Sequence, residues 1–340
     1  MSSKLTLISL VLVTAFSLAC GSGSDSNDAA DTGPVPVDTG GETATNVADV
    51  TVDPEDVLEE NAVPEEVAVD LGPQDPAPAT PKAYSGGVCP LLKAGKNSFV
   101  SAGRPRAVHL YLPAQPEGAP VVFIWHGSGD FPTNMGLFFE AEKIAQEKGA
   151  IVVIPYECCD TGADCCDNLM VWNYGEFSHL DADAGLFDDT LSCLDAQFDI
   201  DNKRVYTTGF SAGSLFSSYL AMNRAEYLAA AAIFSGGCGT VVPCSTPEYN
   251  LPAIVAWGGK DDMYVIVSFE DESKKLSKNL RDNGSFVIEC DHGQGHTIPW
   301  GAPEFGVEFL LAHTWSDGST PFQKSGVPDH WPEYCYLPKD

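Results

Sequence analysis

The chain has 340 residues, with 18 Lys and Arg against 48 Asp and Glu, a formal charge of -30 at pH 7. Such an excess of carboxylates repels polyphosphates and anionic headgroups, which excludes nucleic acid and acidic lipid surfaces as partners. Eleven cysteines are more than a reducing compartment usually tolerates and point to export.

The elements follow in chain order. Lys4 precedes an apolar run from Leu5 to Ala19, too short to span a bilayer, so residues 1–19 read as a signal peptide. Ser17-Leu18-Ala19-Cys20 resembles a bacterial lipobox, which implies a lipid-anchored Cys20, with Ser17 standing where an aliphatic residue is usual. Ordinary signal cleavage is the alternative. With Cys20 assigned to processing, ten cysteines remain for disulfides. From Gly21 to Ala83 there are 15 acids, one base and no Phe, Trp or Tyr. Residues 20–83 bury too little apolar surface to offset their ordering entropy, and read as a disordered acidic stalk.

Residues 84–340 form the body. Arg106–Leu112 predicts an early strand, and Ala119–Trp125 and Ile151–Pro155 predict buried parallel strands. Thr133–Lys148 has helical periodicity and is closed by Gly149. Asp183–Phe198 predicts a helix, with Asp181 and Asp183 suited to capping it more than to binding calcium. Leu228–Phe234, Ala253–Trp257 and Ser285–Glu289 predict further short strands, and Phe305–Trp315 a last helix. Strands alternating with helices at this spacing imply one α/β domain with a mostly parallel sheet covered on both faces.

One stretch organises the chemistry. Arg204–Thr208 predicts a buried strand, Gly209-Phe210-Ser211-Ala212-Gly213 fits G-x-S-x-G, and Ser214–Met222 predicts a helix. Strand, sharp turn and helix form the setting of a nucleophile elbow, with Ser211 on the strained turn. A serine hydroxyl needs a base and a group that orients the base, and on such a sheet these follow in the order acid, then histidine, just after strand ends. The acid lies in Gly258-Gly259-Lys260-Asp261-Asp262, where Asp261 is taken first and Asp262 second. The base lies between Cys290 and Pro299, where His292 and His296 compete. The backbone N–H groups of Ala212 and of Ser128, after the strand ending at Trp125, are the expected oxyanion donors.

These segments resemble secreted α/β-hydrolase esterases of the polyhydroxybutyrate depolymerase and feruloyl esterase type. The resemblance rests on VVFIWHGSG at Val121–Gly129, VWNY at Val171–Tyr174, DAGLFDDTL at Asp183–Leu191, DIDNKRVYTTGFSAGS at Asp199–Ser214, WGGKDD at Trp257–Asp262 and GHTIP at Gly295–Pro299. It implies Ser211, Asp261 and His296 as nucleophile, acid and base, hydrolysis through an acyl-enzyme, and no metal or organic cofactor. Trp257 and Gly259 depart from the family's H-G-T-x-D, and Ile298 from its G-H-T-W-P.

Cys158, Cys159, Cys165 and Cys166 are read as disulfides rather than a metal site, and Cys238 and Cys244 as a local loop closure. A bridge from Cys290 would stiffen the loop bearing His296. Trp172, Tyr174, Phe177, Trp300 and Trp331 are either crevice aromatics or core. The sequence as a whole predicts a monomeric serine esterase, exported and anchored on the outer membrane through Cys20. Its expected substrate is an ester on a polymer, either a polyhydroxyalkanoate or a plant cell-wall acyl group. A peptidase or acyltransferase on the same scaffold, or a catalytically silent binding protein, are the alternatives.

Overall fold

A computed structural model describes residues 77–156, 180–316 and 318–339, without the side chains of 180–182. The signal peptide, Cys20, the stalk up to residue 76, the four cysteines from Cys158 to Cys166, and Trp172, Tyr174 and Phe177 lie outside the described residues.

Strands and helices alternate along the body. β1 (Gly95–Ser101) and β2 (Arg104–Tyr111) form a hairpin, followed by β3 (Val121–Trp125), helices α1 (Pro132–Phe138) and α2 (Ala141–Lys148), β4 (Ile151–Pro155), α3 (Leu180–Phe198), β5 (Val205–Phe210) and α4 (Ala212–Asn223). Then come β6 (Ala230–Phe234), β7 (Ala253–Trp257), a small hairpin of β8 (Met263–Tyr264) and β9 (Val267–Ser268), α5 (Phe269–Asp282), β10 (Val287–Asp291), α6 (Ala302–Leu311), α7 (Phe322–Ser325) and β11 (Cys335–Tyr336). The main sheet has nine strands in the order β1-β2-β4-β3-β5-β6-β7-β10-β11. Its centre, from β4 to β10, is parallel, while the edge pairings β1–β2, β2–β4 and β10–β11 are antiparallel.

The central strands are buried along their whole length, as their unbroken apolar sequences require when both faces are covered. Side chains alternate between two cores. Val121, Phe123 and Trp125 join Leu186, Leu215 and Leu276, which are supplied by α3, α4 and α5. Val122 and Ile124 join Met135, Ile144 and Phe305 from α1, α2 and α6. Ring pairs tie the layers, with Phe123 4.7 Å from Phe187 and Trp125 4.5 Å from Phe216.

The expected helix Thr133–Lys148 is two helices. Glu140 adopts a left-handed conformation at φ 52°, and Gly149 ends the second helix at φ 68°. The break turns the Phe139 ring inward to within 6.2 Å of Phe234, while Ala141, Ile144 and Ala145 bury the next turn. Helix α5 has no counterpart among the sequence expectations, because only Phe269, Leu276 and Leu280 give its buried face an apolar character. Its sequence signal is the start: Ser268 accepts from the Asp271 N–H at 3.3 Å, and acids fill the first turn, as a helix N-terminus favours.

Asp183 is not a cap but an interior residue of α3. It forms a buried 2.6 Å ion pair with Arg106 of β2. Further along α3, Asp189 accepts from the Ser85 N–H, the Ser85 hydroxyl and the Ser101 hydroxyl at 2.6–2.7 Å, and Cys193 is bridged to Cys89. The leading segment of the body is thereby fastened to α3. Cys238 and Cys244 close a local loop, as expected. Cys290 is bridged to Cys335, so β10 is linked covalently to edge strand β11 close to where the His296 loop begins. His313 is structural: its Nδ1 donates to the Phe309 carbonyl and its Nε2 accepts from the Thr320 hydroxyl, both at 2.7 Å. Burial pushes its pKa down to about 4, which keeps the ring neutral.

Candidate active site

Adjacent strands β5, β6, β7 and β10 each deliver one residue at their carboxyl ends, the edge of a parallel sheet where crevices form. After β5, Ser211 sits at φ 54° and ψ -123° and α4 starts at the next residue. A non-glycine residue held at positive φ beside a crevice is a recurrent sign of a working site. The turn is enforced by its flanks. A Cβ on Gly209 would lie 2.6 Å from the Trp125 carbonyl oxygen, and one on Gly213 would overlap that carbonyl outright. Only hydrogen fits at either place, so β5, α4 and the end of β3 approach to backbone contact.

His296 completes the arrangement. Its Nε2 is 2.9 Å from Ser211 Oγ and its Nδ1 is 2.7 Å from Asp262 Oδ1. With Nδ1–H donating to the carboxylate, Nε2 is left as the acceptor for the serine hydroxyl, which is the tautomer a general base needs. Asp262 is fully buried. Its second oxygen accepts from the Ser235 hydroxyl and from the Gly258 N–H, both at 2.8 Å. A buried carboxylate is costly unless hydrogen-bonded in this way.

The carboxylate that reaches His296 is thus that of Asp262 and not of Asp261. Residues Gly259–Asp261 form a 3-10 turn, in which the Asp262 N–H bonds back to the Gly259 carbonyl at 3.0 Å. This tight turn rotates Asp262 under the strand end and leaves the Asp261 side chain 74% exposed and paired with Lys260 at 2.8 Å. The family resemblance points to Asp261, one residue before the carboxylate that this turn carries to His296.

The loop bearing His296 is locked to the acid loop. The Gly295 N–H donates to the Gly258 carbonyl at 2.9 Å, and a Cβ on Gly258 would collide with the Gly295 carbonyl. Two aromatic rings stack on the imidazole: Phe210 at 4.9 Å and 28°, and Phe269 at 4.5 Å and 18°. His292 takes no part. Its Nδ1 accepts from the Gln294 N–H, its ring faces Tyr334 at 6.0 Å, and burial lowers its pKa against the opposing pull of Asp262 and Asp291.

The loop after β3 lies over the serine, since a Cβ on Gly127 would sit 3.4 Å from Ser211 Cβ. His126 is buried and donates through Nδ1 to the Gly127 carbonyl at 2.9 Å, which shapes this loop. Ser128 is the next residue and is half-buried. Trp331 is core, packed 5.4 Å from both Phe305 and Phe322, whereas Trp300 is 95% exposed. Among the described residues, no group of three or more His, Cys, Asp or Glu is placed to hold a metal ion.

Ser235, Gly258 and Phe269 carry no local sequence signal that marks them as parts of the site. Ser235 follows an apolar strand and precedes two glycines, which marks a turn at a strand end but not a hydroxyl aimed at an acid.

The geometry can be set beside known proteins. The esterase family model matches residues 100–320. A bifunctional acetylxylan esterase/xylanase of Neocallimastix patriciarum is 26% identical over 239 residues, covering 67% of this chain. The chain spans about a third of the length of that relative, 33%. Among solved structures, native pOPH is similar at a TM-score of 0.60 and 19% identity, over 74% of this chain and 97% of that one. Native sOPH is similar at 0.59 and 20%, over 76% and 97%. These two likenesses establish the shared α/β-hydrolase fold.

Proposed function

The chain belongs to the esterase family, and from that premise we propose that it hydrolyses carboxylic esters through an acyl-enzyme on Ser211. The observation that carries this reading is the unbroken relay from Ser211 Oγ to His296 to Asp262, at 2.9 and 2.7 Å.

His296 Nε2 takes the hydroxyl proton as Ser211 Oγ attacks the ester carbonyl carbon. Asp262 stabilises the imidazolium that results. The tetrahedral oxyanion is held by the backbone N–H groups of Ala212 and Ser128, on the turn after β5 and the loop after β3. Collapse breaks the bond to the alcohol oxygen, which leaves with the proton from His296. Water then attacks the acyl-enzyme, again giving a proton to His296 Nε2, and the acid departs with Ser211 restored. Each step uses side chains and backbone of this chain only, so the reading calls for no metal or organic cofactor.

The place of action follows from the same reading. Residues 1–19 direct export, Cys20 carries the lipid anchor, and the stalk runs from residue 20 to 76 rather than to 83, because the Ala79 N–H donates to the Glu226 carbonyl and Lys82 pairs with Asp188, both at 2.9 Å; the body from residue 77 onward acts as a monomer at the cell surface. The disulfides Cys89–Cys193, Cys238–Cys244 and Cys290–Cys335 support an oxidising compartment. The substrate is an ester borne on an extracellular polymer, either a polyhydroxyalkanoate or an acyl group on a plant polysaccharide.

Stopped-flow hydrolysis of 4-nitrophenyl butyrate tests the chemistry. The expected result is a burst of nitrophenol close to one equivalent of enzyme, lost in Ser211→Ala together with roughly 10³-fold or more of kcat. Turnover unchanged in Ser211→Ala would overturn the assignment. Acetylated xylan and polyhydroxybutyrate then separate the two substrate classes.

A further inference from the structure

The acid loop runs straight into the hairpin β8–β9. Met263 pairs with Ser268 and Tyr264 with Val267, which leaves Val265 and Ile266 as a two-residue loop. The base of this hairpin is tied to the relay. Asp262 immediately precedes Met263, the Phe269 N–H donates to the Asp262 carbonyl at 2.9 Å, and the Phe269 ring stacks on His296. The Tyr264 ring lies 6.1 Å from the His296 ring.

The tip is built against both folding and solubility. Val265 and Ile266 are 82% and 78% exposed, and Met263 and Tyr264 are also exposed. Val265 adopts φ 55°, a place that glycine or asparagine takes in a two-residue hairpin and where a β-branched residue is an outlier. Strain and exposed apolar surface on the same residues, rooted on the catalytic histidine, are what a contact made only with a bound molecule would leave in the free protein. The excess of acids from Tyr84 onward, 33 against 16 bases, disfavours an anionic membrane as that molecule.

We propose that Met263–Ile266 is the specificity element of the site, gripping an aliphatic chain that extends from the scissile ester. The inference rests on the ester-hydrolase reading above and sharpens it. The preferred substrates are esters that continue as an apolar chain beyond the size of an acetyl group, and Tyr264 makes the surface between His296 and the tip continuous.

The test compares wild type with the double variant Val265→Gly, Ile266→Ser on 4-nitrophenyl acetate and 4-nitrophenyl octanoate. The expected result is a loss of about tenfold in kcat/KM on the octanoate, carried by KM, with the acetate changed by less than about twofold. The melting temperature should hold, since glycine is at home at φ 55°. Equal losses on the two esters, no loss on either, or a collapsed melting temperature would overturn the inference while leaving the esterase reading intact. Wild type inert to both esters would remove that reading and this inference together.

Discussion

Asp262→Asn is expected to lower kcat on the order of 10³- to 10⁴-fold with little change in KM, while Asp261→Asn stays within about twofold of wild type. The two residues are adjacent, yet their surroundings are opposite. Asp262 is fully buried and accepts from His296 Nδ1, the Ser235 hydroxyl and the Gly258 N–H. An amide there keeps its oxygen toward Ser235 and Gly258 and turns its NH₂ toward His296. Nδ1 must then become an acceptor, the proton moves to Nε2, and the ring can no longer take a proton from Ser211 Oγ. Asp261 points into solvent beside Lys260, and an exposed pair of this kind contributes little. Ester kinetics of the two variants, each checked for folding, decide the matter. A larger loss in Asp261→Asn would contradict the assignment.

Gly213→Ala is expected to destabilise the protein by about 3 kcal/mol or more and to abolish most activity. The added methyl would overlap the Trp125 carbonyl and come within 2.5 Å of the His126 carbonyl oxygen. Both are backbone, so relief requires moving β3 against α4. That movement also displaces the loop carrying Gly127 and Ser128 from Ser211. Gly149→Ala provides the contrast. Gly149 sits at φ 68°, and a Cβ there would meet nothing within 4 Å, so only the backbone preference is lost, about 1–2 kcal/mol. Urea unfolding of the two variants measures the difference, and equal midpoints would show that the turn is not held by close backbone approach.

The elbow was legible in the sequence because its signals are local: a buried strand, glycines two before and two after the serine, and a helix of small and apolar residues. The central strands were legible for a similar reason, since AIVAW at Ala253–Trp257 and IVVIP at Ile151–Pro155 have no polar face to offer solvent. The histidine was legible from its place after the last parallel strand and from the family pattern around it. What could not be read depends on single backbone torsions. A left-handed Glu140 splits one periodic segment into two helices. One 3-10 turn decides which of two neighbouring aspartates is buried. Ser235 contributes a hydroxyl across 27 residues of sequence to Asp262, a contact that no local pattern encodes. Helix α5 hides because its solvent face is almost wholly charged.

The proposed chemistry requires Ser211 to be an activated nucleophile. Intact mass of the oxidised protein after treatment with a fluorophosphonate measures this most directly, with Ser211→Ala run in parallel. One covalent adduct per chain is expected in the wild type and none in Ser211→Ala. A well-folded wild type that gains no adduct, or a Ser211→Ala protein that gains the same one, would contradict it.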